Sequence, residues 1–250
     1  MDVETVVWQL ESRLRAVARP ARAAGEKRYL KSDLTFLGAT MGQVEAAVRE
    51  IAFEYLDPSH DQIVELAAAL WLAPVHERRM ASVKLLERCV EHLGVADLPL
   101  IERLVRESRT WALADALAGD VLGRMVGVDP EGMTHALDRW ATDDDFWVRR
   151  ASLLAELWPI RGGATLNRFL RRAEPMLEER EFFIRKAIGW VLREAGKRRP
   201  AEVAAWVGPR THRASGVTMR EAVKYLDPSD AAHLLAAYRE KRPAWTLERP

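Results

Sequence analysis

The chain has 250 residues, 48% hydrophobic and 30% charged, enough to bury a substantial core in one or two domains. Its 38 Lys plus Arg against 37 Asp plus Glu give a formal net charge of +1, without the basic surplus that usually accompanies extensive phosphate neutralisation. One cysteine, Cys89, excludes an intramolecular disulfide and a cysteine-based zinc cluster, and its place in VKLLERCVEHL predicts a buried thiol.

In chain order, the start MDVETVVWQLESRL is acidic and amphipathic, unlike a signal peptide. No apolar run approaches the ~18–20 residues that span a bilayer, so a soluble, cytoplasmic protein is expected. VVWQLESRLRAVA, QVEAAVREIAFEYL, DQIVELAAALWL, ERRMASVKLLERCVEHL and LPLIERLVRES place apolar residues at three- and four-residue steps and are predicted helices. The same period continues in TWALADALAGDVLGRMV, GMTHALDRWA, FWVRRASLLAELWPI, LNRFLRRAEPML and EFFIRKAIGWVLREAGK, then in PAEVAAWVG, TMREAVKYL and DAAHLLAAYREK. Gly, Pro or Asp mark the breaks LDPSHD, LAPVHE, GVDPEG, ATDDD, WPIRGG, AGKRRP and LDPSD. Asp143, Asp144 and Asp145 suit a helix N-terminus, where carboxylates accept orphan amide hydrogens. Helices joined by short turns predict an all-α array of stacked pairs over residues 1–250 as one domain, with a short tail from about 242 to 250. Periodicity alone leaves an irregular bundle as the alternative. The charge balance shifts along the chain, from 12 basic and 15 acidic residues in 1–100 to 18 and 16 in 101–200 and 8 and 6 in 201–250.

Three of these segments pair an aromatic with a charged group on one helix face. Trp111 and Asp115 are four apart, Trp147 and Arg150 three apart, and Phe183, Lys186 and Trp190 form one stripe. Singly, each pairing equally suits a core aromatic beside a solvated charge. Taken together, a carboxylate framed by indoles with an arginine nearby suits a planar cation, because aromatic faces attract cations and a guanidinium forks onto phosphate. Competing signatures are absent: no GxGxxG after a strand, no GxxxxGK[ST], no GxSxG and no HExxH. The six histidines (His60, His76, His92, His135, His212 and His233) form no ligand cluster in the sequence.

EFFIRKAIGWVLREAGKRRP closely resembles the most recognisable segment of the AlkD-type DNA alkylation repair glycosylases. The likeness continues, in family order from Tyr29 to Leu226, through RYLKSDLTFLGATMGQVEAAVRE, ALWLAPVHERRMASVKLLE, TWALADALAG, FWVRRASLLAELW and TMREAVKYL. FFIRKAIGWVLRE and LW-x-x-P-x-H-E-R-R are its specific motifs. The resemblance implies HEAT-like (ARM-like) repeats forming a curved superhelical solenoid whose concave face binds duplex DNA. It implies a monofunctional, cofactor-free and metal-free glycosylase, a monomer, that hydrolyses the N-glycosidic bond of N7-alkylguanine and N3-alkyladenine without flipping the base. Asp115 then matches the catalytic carboxylate, Trp111 and Trp190 the two pocket tryptophans and Arg150 the pocket arginine; Arg193, Lys186, Trp147 and Phe183 are candidate DNA contacts. A relative that binds damaged or branched DNA without cutting it is the alternative.

The sequence also departs from the family. Thr110 and Ala112 stand where it commonly has a second Trp and a further acid. In the loop TMGQVE, Gly42 and Glu45 replace a usual Pro and Arg, which bears on the backbone grip of Thr40–Glu45.

Overall fold

The computed structural model describes residues 2–55 and 59–245. Leu56, Asp57 and Pro58 of the break LDPSHD, and residues 246–250 of the tail, lie outside them. Among the described residues the chain is helical, and its one extended pairing is an isolated parallel bridge between Thr35 and Val75. It divides into two compact units, residues 1–125 and 126–250.

The first unit opens with α1 (Val3–Ala16), α2 (Pro20–Leu30), α3 (Met41–Tyr55), α4 (His60–Leu72), α5 (His76–Arg88) and α6 (Leu98–Ser108). Apolar spacing sets which faces meet. Val6, Leu10 and Leu14, four apart, bury one stripe of α1 against α3 and α4. Ile63, Leu66, Ala67, Leu70 and Trp71 do the same for α4, which packs most extensively on α5. Each such Val, Leu or Ile side chain contributes about 1.5–3 kcal/mol on burial. The helix α2 differs: it buries no residue, and it forms from a proline at its start and a run of Ala, Arg, Lys and Glu with good helix propensity. The expected helix through ERRMASVKLLERCVEHL ends at Arg88. Cys89 leaves helical geometry there, and a tighter 3₁₀ turn takes Val90–His92. Cys89 is buried, and burial pushes its thiol pKa up.

Two motifs forty residues apart turn out to be one construction. Glu77, 1% exposed, accepts hydrogen bonds from the backbone amides of Leu37 (3.0 Å) and Gly38 (2.6 Å). Gly38 has φ +82°, and a Cβ there would lie 2.3 Å from the Arg19 carbonyl oxygen, so only glycine fits. The ring of Phe36 stacks on His76 at 4.7 Å. A buried carboxylate that caps two amides replaces the water those amides would otherwise need. The HERR and FLG motifs therefore serve the scaffold of this unit.

Beyond α6, α7 (Trp111–Ala116) runs into a π-helical segment, Leu117–Leu122, and then α8 (Gly123–Val128). The second unit continues with α9 (Pro130–Trp140), α10 (Phe146–Leu154), α11 (Leu157–Arg161), α12 (Asn167–Met176), α13 (Phe182–Gly196), α14 (Pro200–Val207), α15 (Gly216–Ala222) and α16 (Pro228–Arg239). Asp145 caps α10 as expected, accepting from the Trp147 amide at 2.7 Å. The single helix predicted for FWVRRASLLAELWPI is split between Leu154 and Leu157. Pro159 has no N–H to bond back to Ala155, and Glu156 at the break is fully buried, where its carboxylate accepts from Arg172 (2.6 Å) and Arg168 (3.2 Å). TMREAVKYL likewise ends its α-helix at Ala222 and closes with a 3₁₀ turn, Val223–Tyr225. In this unit α13 is the hub, packing on α10, α11, α14 and most extensively on α15.

The described part of the tail is held in place. The Ala244 amide bonds the Gly208 carbonyl at 2.9 Å, Thr211 Oγ1 donates to the Arg242 carbonyl at 2.6 Å, and Trp245 stacks on His233 at 5.8 Å. No helix is long and apolar enough to cross a membrane among the described residues.

Candidate functional site

In the first unit, Trp111 opens α7 and Asp115 follows one turn later, so both side chains share a helix face. Both are half-buried. Tyr29, at the end of α2, meets the Trp111 ring edge-on, with centroids 5.8 Å apart and planes at 86°. The side chain of Thr110 at the N-cap makes no cap hydrogen bond, and Arg109 before it takes a left-handed turn at φ +48°. Two residues beyond Asp115 the backbone widens into the π segment, which buries Leu117, Ala118, Val121 and Leu122. A π turn inserts a residue into the helical ladder and re-aims the faces before and after it, an arrangement frequent at functional sites. The periodicity of TWALADALAGDVLGRMV reads as an unbroken α-helix and gives no sign of this insertion.

The loop that departs from the family starts α3 by a reciprocal cap. Gln43 Oε1 accepts from the Thr40 amide at 2.8 Å while Thr40 Oγ1 accepts from the Gln43 amide at 3.3 Å. One turn into that helix, Glu45 reaches Lys84 at 3.2 Å; Lys84 also pairs with Glu87 at 2.8 Å, and Glu87 accepts from Arg124 at 3.0 Å. The acid at position 45 is thus absorbed by a charge network on α3, α5 and α8.

In the second unit, Arg150 is 3% exposed. Its Nη1 donates to the Phe183 carbonyl, and its guanidinium lies 5.7 Å from the centre of the Phe183 ring. Trp147, Phe146 and Phe183 form one cluster, with Trp147 at 4.6 and 4.8 Å from the two phenylalanines. Trp147 is buried in that cluster and Phe183 is half-buried; the ring most open to solvent is Phe182, 54% exposed and edge-on to Phe183 at 5.5 Å. Sequence reasoning passed over Phe146 and Phe182, although the doubled aromatics FW and FF at two helix starts were there to be read.

Along α13, Lys186, Trp190 and Arg193 fall on one face, with Trp190 half-buried between two cations. Neither cation stands alone. Lys186 Nζ and Arg193 Nη1 donate to the two carboxylate oxygens of Glu221 on α15, at 2.7 and 2.6 Å. Lys224 adds a third bond to Glu221 at 3.0 Å. Burial of Glu221 works against its charge, yet hydrogen bonds from Lys186 and Lys224 and the nearby charges of Lys186 and Arg193 more than offset it, holding the pKa down to about 2. One turn further on α13, Glu194 gathers Arg161 (3.3 Å) and Lys197 (2.9 Å). Gly189 makes the close approach possible: a Cβ there would sit 2.8 Å from Glu221 Cβ. Glu221 and Lys224 belong to a segment recognised in the sequence but given no role there, because the α13 partners of Glu221 lie about thirty residues away.

The structure therefore joins Trp111 with Asp115, Trp147 with Arg150 and Phe183, and Lys186 with Trp190 and Arg193. The first pair belongs to the first unit and the other groups to the second.

Among solved structures, the chain is similar to a predicted DNA alkylation repair enzyme from Enterococcus faecalis, with a TM-score of 0.77, 21% identity, and coverage of 84% of this chain and 97% of that one. AlkD2 from Streptococcus mutans shares the fold at a TM-score of 0.61 and 18% identity, covering 82% of this chain and 99% of its own. The protein smu.31 from Streptococcus mutans UA159 gives 0.60 and 17%, covering 82% and 98%. No curated protein sequence matches the chain. The family model described as DNA alkylation repair enzyme matches residues 10–226, most of the length, so the chain belongs to the DNA alkylation repair enzyme family.

Proposed function

We propose that the protein is a monofunctional DNA glycosylase that hydrolyses the N-glycosidic bond of cationic alkylpurines, N7-alkylguanine and N3-alkyladenine, in duplex DNA and without flipping the base. The observation that carries this reading is the carboxylate of Asp115 one turn from the half-buried indole of Trp111, in a chain of the DNA alkylation repair family.

The chemistry follows from charge. Alkylation at N7 or N3 makes the purine a cation and a good leaving group. As the bond from C1′ to N9 lengthens, its electron pair moves onto the purine, cancelling that positive charge and leaving an oxocarbenium-like sugar. The Asp115 carboxylate stabilises the developing sugar cation and orients the water that attacks C1′. The water oxygen forms the new bond to C1′ and releases one proton to solvent. The products are a neutral alkylpurine and an abasic site. Trp111 and Trp190 pack on the sugar and backbone of the lesion nucleotide and exclude bulk water, which strengthens the field of Asp115. Arg150, anchored on the Phe183 carbonyl, holds a phosphate near the lesion. Arg193 and Lys186 supply backbone contacts, with Trp147 and Phe183 packed behind Arg150.

Substrate range tests the reading. Release of a neutral base needs a donor for the leaving group, and the proposed groups comprise a carboxylate, indoles and a guanidinium, none a general acid near pH 7. Duplexes carrying N7-methylguanine or N3-methyladenine are expected to yield alkali-labile abasic sites, and duplexes carrying uracil or hypoxanthine none. Efficient release of a neutral base contradicts the proposal.

A further inference from the structure

Three cations of the second unit converge on one carboxylate. Lys186 and Arg193 lie on α13 on either side of Trp190, Lys224 lies just past α15, and all three donate to Glu221. Exposure separates their roles. The Glu221 side chain is 10% exposed, whereas those of Lys186, Arg193 and Lys224 are 38%, 26% and 48% exposed. The carboxylate thus lies beneath and the cations form the surface. Each ammonium has three N–H donors and the guanidinium five, so one bond apiece to Glu221, with Arg193 Nε also 3.7 Å from Glu194 Oε1, leaves several to point outward. Three like charges this close repel one another, and a buried anion at their centre holds them together while leaving cations in excess. Gly189 sets α13 and α15 close enough for a single carboxylate to reach both cations of α13.

We propose that Glu221 is a positioning residue: it assembles Lys186, Arg193 and Lys224 into one site for a DNA backbone phosphate beside Trp190. The inference rests on the DNA-binding part of the reading above. The cations around it hold the Glu221 pKa down to about 2, so the carboxylate that joins them carries its charge at neutral pH.

The test is a salt titration of affinity for undamaged duplex, run beside abasic-site release from N7-methylguanine duplex. Glu221→Gln raises the net charge of the protein by one, and bulk electrostatics alone calls for tighter binding with a steeper salt slope. Positioning requires the reverse: with the cations dispersed, affinity falls and the slope of log affinity against log salt drops by about 1–2. Glu221→Asp, which keeps the charge, recovers most of the slope. Lys224→Ala, a change at an exposed side chain, lowers the slope by about 1, and it decides the matter if Glu221→Gln fails to fold. Tighter binding by Glu221→Gln, or an unchanged slope in Lys224→Ala, overturns the proposal. Normal base release with wild-type slopes in these variants removes the role of Glu221 alone. Altered slopes with no base release by the wild-type protein remove the glycosylase reading and leave Glu221 its role.

Discussion

Gly189→Ala probes the helix contact on which the cation cluster depends. The new methyl would stand 2.8 Å from Glu221 Cβ, 3.1 Å from Thr218 Cα and 3.2 Å from the Thr218 carbonyl oxygen. Carbon atoms pack best at about 3.5–4.0 Å, so α15 must withdraw by roughly 1 Å. The neighbours include backbone atoms and a Cβ, which no side-chain rotation moves aside. Overpacking of this kind costs about 1–3 kcal/mol, and the rigid neighbours place it in the upper half of that range. Alanine gains about 1 kcal/mol over glycine inside a helix. The net loss is about 1–2 kcal/mol, a fall in thermal midpoint of roughly 2–8 °C. Calorimetric melts of wild type and Gly189→Ala measure it. Gly25→Ala, in α2 with nothing within 4 Å of the new methyl, is the reference and rises slightly instead. A Gly189→Ala protein that melts at or above the wild-type midpoint refutes the packing argument, and with it the reason given for glycine before Trp190.

Two further perturbations address other parts of the account. Arg150→Ala loses both the bond to the Phe183 carbonyl and any phosphate contact, so the thermal midpoint falls and the salt slope of DNA binding drops by about 1; a lower midpoint with an unchanged slope makes Arg150 a structural side chain. His60 bonds Asp61 at 2.9 Å and Asp97 at 2.8 Å, and these bonds raise its pKa above the ordinary 6.5. Its contribution to stability is therefore complete below about pH 6.5 and fades as the pH rises through the raised folded value. Melts of His60→Gln across that window lose this component of the pH dependence, and a profile parallel to wild type rejects the pairing.

Much of the fold was legible because burial imprints a period on a helix. Val6, Leu10 and Leu14, or Ile63, Leu66 and Leu70, announce their faces in the sequence. The helix α2 was missed for the converse reason: with no buried residue, PARAAGEKRYL has no apolar stripe to find. The break at Ala155–Glu156 was hidden because a buried glutamate reads like any polar turn of a helix until Arg172 and Arg168 close on it. Local pairings such as Trp111 with Asp115 depend on spacing within a helix and could be read directly. Groups formed by packing, Glu77 on Leu37 and Gly38 or Glu221 under Lys186 and Arg193, depend on contacts across about thirty to forty residues that no short pattern encodes.

The most direct test of the central claim is the single-turnover rate of N7-methylguanine release from duplex DNA by the wild-type protein and by Asp115→Asn. The substitution keeps the shape of the side chain on α7 and removes its charge. Loss of one preorganised electrostatic group costs about 2.7–4 kcal/mol, so the rate is expected to fall roughly 10²- to 10³-fold. Affinity for a duplex carrying an abasic-site analogue changes little. A wild-type protein that releases no base, or an Asp115→Asn variant that releases it at nearly the wild-type rate, contradicts the account.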